Sequence, residues 1–214
     1  EVIKIHPMLN HTAQDAANCV NQVRTGIGGD IALLVNLDSQ NNPDAEIQIA
    51  QAIEPEHPYW FEEPIDRSDM QTFAQIRKDQ ALRVVKGEKH CGLAHFRAIL
   101  AAGTADILNP DIAAVGRILD LLDIAALADQ QGVQISPHCW NSKTVTGAAV
   151  LPACASTPNA EMAEIYPKYI QYVEKFALKV FHLEGEYAHL SEKPGIGVDL
   201  NVSALQDLCK HHQS

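Results

Sequence analysis

The chain has 214 residues, 46% of them apolar and 20% charged, an ordinary composition for one globular domain. Its 16 basic and 27 acidic residues leave a net charge of −11, so no basic stripe is available to bind a phosphate backbone. No apolar run approaches the roughly 18 residues that cross a bilayer, and the five scattered cysteines make neither a CxxC pair nor an even disulfide set. A cytoplasmic protein with no nucleic-acid and no membrane partner is the expectation. The opening EVIKIHPMLN lacks the basic-then-apolar pattern of a leader and starts directly on a strand-like run, which reads as the start of a fragment.

In chain order, VIKI (2–5) is the first expected strand. A helix over 12–25 follows, with Thr12 as its N-cap and Asp15 completing a capping box. IALLVNLD (31–38) precedes a helix over 43–55, and YWFEEPI (59–65) precedes one over 68–79. LRVVKGE (82–88) leads to 92–102, ADILNP (105–110) to the Ala/Leu-rich 116–131, and VQISPH (133–138) to 142–155. Strand–helix units recurring at about 23 to 29 residues imply right-handed crossovers and a parallel sheet. The expected class is therefore α/β, either an open doubly wound sheet or part of a (β/α) barrel.

No GxGxxG or GxxxxGK[ST] follows any strand, which counts against the dinucleotide and P-loop readings. Gly26 to Asp30 sits at a helix-to-strand junction and is a turn. After residue 165 the texture changes: KYIQYVEKF is helical or irregular, KVFHLEGEYAHL suggests a hairpin about Gly185, and Pro194-Gly195-Ile196-Gly197 is a turn. One domain is expected over 1–214, with strand–helix repeats to 165 and a C-terminal extension over 166–214.

The strand tips carry the chemistry. In order they offer Lys4 and His6, Asn36 and Asp38, Glu62 and Glu63, Glu88, Asp111, and His138. On a barrel these would gather at the C-terminal rim, where active sites form. Oxygen donors from adjacent strands (Asn36 or Asp38, Glu62, Glu88) suit a hard cation such as Mg²⁺. A carboxylate chelated there would become acidic at its α-carbon, because the enediolate is stabilised. The matching base needs a pKa near neutrality: His138, with Asp111 one strand earlier to fix its tautomer.

Trp60-Phe61-Glu62-Glu63-Pro64, Val85-Lys86-Gly87-Glu88, Ile107-Leu108-Asn109-Pro110-Asp111, Ser136-Pro137-His138 and Pro194-Gly195-Ile196-Gly197-Val198 occur in that order. Together they resemble the C-terminal barrel domain of the enolase superfamily, in its mandelate racemase-like branch (the mandelate racemase/muconate lactonizing enzyme family). The resemblance implies a (β/α)7β TIM-like barrel with three metal-binding side chains on successive strands, at Asn36, Glu62 and Glu88. It implies a His–Asp dyad at His138 and Asp111, and a last-strand acid, after Pro158-Asn159, at Glu164, with Glu161 three residues away as its rival. Glu63 is placed behind the site or at its rim.

The sequence departs from the family pattern in three places. Asn36-Leu37-Asp38 reverses the usual Asp-x-Asn, so Asn36 or Asp38 ligates the metal. Lys4-Ile5-His6 replaces the commoner Lys-x-Lys, which makes Lys4 a candidate to lower the pKa of a basic His6. The capping domain and first barrel strand of the family are missing, so the barrel is incomplete at its N-terminal end, with a missing capping segment or a homo-oligomer covering the seam. The implied activity is Mg²⁺-dependent α-proton abstraction from a small hydroxy carboxylate, foremost acid-sugar dehydration by a lyase. A racemase or epimerase of a 2-hydroxy acid (an isomerase using His138 and His6) and a non-catalytic relative with a degraded metal site are the alternatives. His57 is expected in a loop, and His90, His95, His182, His189, His211 and His212 at the surface.

Overall fold

The computed structural model describes residues 1–6, 12–36, 42–65, 70–139, 145–178 and 182–211. Six strands pair in strict sequence order, all parallel: β1 (Val2–Ile5), β2 (Ala32–Asn36), β3 (Trp60–Glu62), β4 (Val84–Lys86), β5 (Ile107–Leu108) and β6 (Gln134–Ile135). The connections run through α1 (Ala13–Ile27), α2 (Pro43–Ile53), α3 (Met70–Asp79), α4 (Leu93–Ala102), the single turn α5 (Ile112–Val115) and α6 (Ile118–Asp129). After β6 come α7 (Val145–Ala155) and α8 (Pro167–Phe176). The chain is thus α/β, with the wall of a (β/α) barrel built by consecutive units.

Local chemistry explains the boundaries. Thr12 and Asp15 form the expected reciprocal capping box at the start of α1. Asn42 caps α2 with Pro43 in its first turn, where a missing N–H costs nothing. The strands are shorter than their apolar runs for backbone reasons. Glu63 adopts φ 44°, which ends β3 before Pro64, a residue that has no N–H for a ladder. The helix expected over 116–131 starts at Ile118 because Gly116, at φ 92°, closes α5 first.

Alternating strand residues sort into two layers. Leu34, Trp60, Val85 and Ile107 point inward and pack together, with Met162 against them. Leu33, Val35 and Phe61 face outward onto Ala16, Val20, Ile49 and Ile53 of α1 and α2. Leu108 and Ile135 do the same under α4, α6 and α7. Burial on both faces is why these runs read as continuous apolar stretches.

The last strand, expected near 161–165, is reduced to one parallel bridge between Ile135 and Ala160. Ile135 donates its N–H to the Asn159 carbonyl at 2.9 Å, and the Glu161 N–H returns to the Ile135 carbonyl at 2.9 Å. With β6 only two residues long, there is no further ladder for residues 162–165 to join. Past α8, β7 (Ala177–Leu178) pairs antiparallel with β10 (Asp199–Leu200). The hairpin about Gly185 forms from β8 (His182–Glu184) and β9 (Tyr187–His189), and α9 (Val202–His211) follows β10. Among the described residues no helix is long and apolar enough to cross a membrane.

Candidate active site

Side chains leaving the C-terminal ends of β1 to β6 converge on one mouth. It opens into a cavity of about 690 Å³ whose lining includes Lys4, Glu62, Asn109, His138 and Glu164. Asp38 and His212 fall outside the described residues.

Glu62, at the end of β3, is 1% exposed and heavily solvated by protein donors. Its Oε1 accepts from Lys4 Nζ at 2.7 Å, Asn36 Nδ2 at 3.2 Å and Asn109 Nδ2 at 3.2 Å. Its Oε2 accepts from the Trp60 indole N–H at 3.2 Å. Burial pushes the Glu62 pKa up, and the nearby Glu164 adds to this; Lys4 opposes both without cancelling them. Lys4 shows the reverse balance. Burial disfavours its charge, yet Glu62 and Glu164 outweigh that and raise its pKa.

Lys4 also donates to Glu164 Oε1 at 2.9 Å, and Glu164 Oε2 accepts the Cys139 N–H at 2.9 Å. Burial would raise the Glu164 pKa, but Lys4, His138 and the Cys139 amide hold it below the usual carboxylate range. The rival acid, Glu161, also lines this cavity, but its Oε1 is held by Arg83 at 2.7 Å and the Tyr59 hydroxyl at 3.1 Å. Lys4 therefore engages the two carboxylates, whereas His6 is exposed at the end of β1.

His138 and Asp111 form a close pair, Nδ1 to Oδ2 at 2.7 Å. Asp111 is the N-cap of α5, its Oδ1 accepting the Ala113 and Ala114 N–H groups at 2.7 and 3.3 Å. One oxygen is fixed by the helix start while the other orients the imidazole. Burial works against the Asp111 charge, but His138 and the two amides pull its pKa down. For His138 burial lowers the pKa, and the hydrogen bond to Asp111 with the charges of Glu164 and Glu88 more than restores it, so it ends raised. The other ring nitrogen, Nε2, lies 3.3 Å from Glu88 Oε2 and 3.8 Å from Glu164 Oε2.

Oxygen donors on three adjacent strand ends fit a hard divalent cation in kind. They are two carboxylates, Glu62 and Glu88, and the Asn36 amide, which presents Oδ1 after a half-turn of its side chain. Among the described residues no group of three or more His, Cys, Asp and Glu side chains is disposed around a metal position; Asp38, the other third donor the sequence offers, lies outside those residues.

Glu63 lies behind the site, one of its two expected placements, whereas His90 departs from its expected surroundings. Glu63 is 4% exposed, with Oε1 accepting the Gly87 N–H at 2.7 Å. Burial lifts its pKa to about 7 against the pull of Lys86, whose own ammonium lies 3.4 Å over the Phe73 ring. His90, expected at the surface, is buried edge-on to Phe96, because β4 ends in a tight turn that tucks it under α4. Asn109 was visible in the sequence only as part of a motif. Its place two residues before Asp111, on an inward-facing register, is the signal that sets it beside Glu62.

Gly87 makes the turn from β4 to Glu88 possible. At φ 144° a Cβ would lie 2.9 Å from Phe96 Cε1 and 3.3 Å from Asn109 Oδ1. Gly87→Ala is expected to cost about 1–3 kcal/mol in strain, measured by urea unfolding. An unchanged midpoint would show that the turn relaxes freely.

A family model described as enolase C-terminal domain-like matches residues 1–204. A D-gluconate dehydratase from Thermoproteus tenax is 28% identical over 192 residues, covering 89% of this chain and 38% of its own length. A D-galactonate dehydratase from Ralstonia pickettii (strain 12J) is 29% identical over 210 residues, covering 92% of this chain and 53% of that protein. Among solved structures, an enolase from the environmental genome shotgun sequencing of the Sargasso Sea has a TM-score of 0.91 at 36% identity, covering 96% of this chain and 55% of that one. The chain spans about half the length, or less, of these relatives.

Proposed function

Because this chain belongs to the enolase C-terminal domain-like family, in the mandelate racemase-like branch of the enolase superfamily, we propose that it carries the barrel machinery for α-proton abstraction from a small hydroxy carboxylate, with acid-sugar dehydration as the reaction. The observation that carries this reading is the His138–Asp111 pair facing Glu88, with Glu62 and Asn36 on the neighbouring strand ends.

Mg²⁺ is the proposed cofactor, held by Glu62, Glu88 and Asn36, with Asp38 as the alternative third donor. When bound, it supplies the positive charge that lets a substrate carboxylate accept the electron pair left behind by the α-proton. The protein's own groups do the rest. Asp111 keeps the His138 Nδ1–H in place, so Nε2 is the nitrogen that takes the proton as the α C–H bond breaks. The β C–O bond then breaks, and the hydroxyl leaves as water with the proton returned from His138. The ring ends as it began and water has left, leaving an enol whose O–H proton moves to C3 to give the 2-oxo-3-deoxy acid. Lys4, between Glu62 and Glu164, is placed to orient an incoming carboxylate.

The two dehydratase relatives make aldonic acids the first substrates to test. The protein is incubated with Mg²⁺ and D-gluconate, D-galactonate or their epimers in D₂O and followed by proton NMR. Formation of the 2-oxo-3-deoxy acid supports the proposal. Exchange of the α-proton without loss of water would replace dehydration by racemisation or epimerisation. No exchange with any of them, in protein shown by calorimetry to bind Mg²⁺, would overturn the reading for this substrate class.

A further inference from the structure

Asn109 makes two bonds that its neighbours do not. It leaves the end of β5 and is 3% exposed. Its Nδ2 donates to Glu62 Oε1 at 3.2 Å, and its Oδ1 accepts the Glu88 N–H at 3.0 Å. Its own N–H donates to the Lys86 carbonyl at 3.2 Å, so the residue that makes these bonds is itself pinned to β4. One short amide thus joins the side chain of one candidate metal ligand to the backbone of the other.

We propose that Asn109 is a positioning residue that fixes the separation and aim of Glu62 and Glu88, and so sets both the strength and the size selectivity of the divalent cation site. The inference rests on the metal reading above. Glu62 leaves β3 and Glu88 follows β4, so the sheet alone sets their Cα positions but not the angle between their carboxylates. Glu88 stands after Gly87, whose φ of 144° releases it from the strand's own geometry. Two consecutive amides of that turn are captured by buried side chains, Gly87 by Glu63 and Glu88 by Asn109. Only Asn109 also reaches Glu62. A Cβ at Gly87 would stand a tight 3.3 Å from Asn109 Oδ1, so the turn and the amide pack closely against each other.

Size selectivity follows from ligand rigidity. Mg²⁺ demands near-octahedral geometry at short distances, while Ca²⁺ accepts longer and less regular sets. Removing groups that orient metal ligands commonly weakens affinity by about 10- to 100-fold. Losing Asn109 therefore falls more heavily on Mg²⁺ than on Ca²⁺.

The test is calorimetric titration of the purified protein with MgCl₂ and separately with CaCl₂, beside Asn109→Leu and Asn109→Ala. Thermal unfolding of each variant without metal is recorded in parallel. The expected result is a loss of about tenfold or more in Mg²⁺ affinity, a smaller loss for Ca²⁺, and a fallen Mg²⁺/Ca²⁺ ratio in whichever variants fold. Alanine cannot overpack the site, so it decides the matter if leucine prevents folding. Folded variants whose Mg²⁺ affinity stays within twofold, or whose two affinities fall equally, would overturn the positioning role alone. A parent protein that binds no Mg²⁺ would overturn the metal reading and this inference with it.

Discussion

Replacing His138 by Asn is expected to slow α-proton exchange by roughly 10²- to 10⁴-fold, the usual contribution of a positioned general base. The substitution is chosen to keep the pocket's shape: an Asn amide can still donate toward Asp111, which remains held by the α5 amides at 2.7 and 3.3 Å. What it removes is Nε2, the ring nitrogen that faces Glu88 at 3.3 Å and Glu164 at 3.8 Å. Mg²⁺ affinity should hold or rise slightly, since an imidazolium no longer competes for Glu88. The measurement is deuterium incorporation at the substrate α-carbon, with calorimetry on the same sample. Exchange persisting at the parental rate would move the base assignment to His6 at the end of β1. Exchange and Mg²⁺ binding lost together would instead mean that the substitution had disrupted the metal ligands.

The legibility of this site follows from where the chain is under periodic constraint. Six apolar runs separated by helix-length segments specify a parallel α/β wall, and the residue ending each run then lies on one rim by geometry alone. That is why Glu62, Glu88, Asp111 and His138 could be named from the sequence. What could not be read was which hydrogen bonds the rim would make. Whether Lys4 turns to His6 or to the carboxylates depends on burial of Glu62, a property of the assembled sheet rather than of VIKI. Asp111 serving both as the α5 N-cap and as the partner of His138 needed the single turn α5, closed by Gly116 ahead of the helix expected over 116–131. The final strand around Glu164 is implied by the resemblance and not by an apolar run, and its ladder is limited by a two-residue β6. His90 was assigned to the surface on residue type; the turn at Gly87 buries it.

In chelator, the thermal midpoint of the protein is expected to fall as pH rises from 5 to 8, and Glu63→Gln is expected to reduce that slope. Burial lifts the Glu63 pKa from 4.5 to about 7. Across that interval the unfolded chain has released its proton and the folded chain has not. The stability present below pH 4.5 is therefore lost progressively up to about pH 7, and is gone above it. At about 1.4 kcal/mol per unit the loss is about 3 kcal/mol, or roughly 6–12 °C for a chain of this size.

Other groups either add to this trend or act outside the window. Glu62 is raised for the same reason of burial and loses stability in the same direction. His138 is raised as well, so its contribution also fades as pH climbs through its folded-state value. Asp111 and Glu164 are lowered, and their contributions disappear only below the ordinary carboxylate range. Lys4 is raised from 10.5 and stays charged throughout. Glutamine at position 63 keeps an oxygen for the Gly87 N–H while removing the ionisation, so the turn is preserved and the titration is not. A parental midpoint that is flat or rising over this range would contradict the burial argument for Glu63. A glutamine variant with the parental slope would assign the titration to Glu62 and His138, the groups that face the cavity rather than the helices behind it.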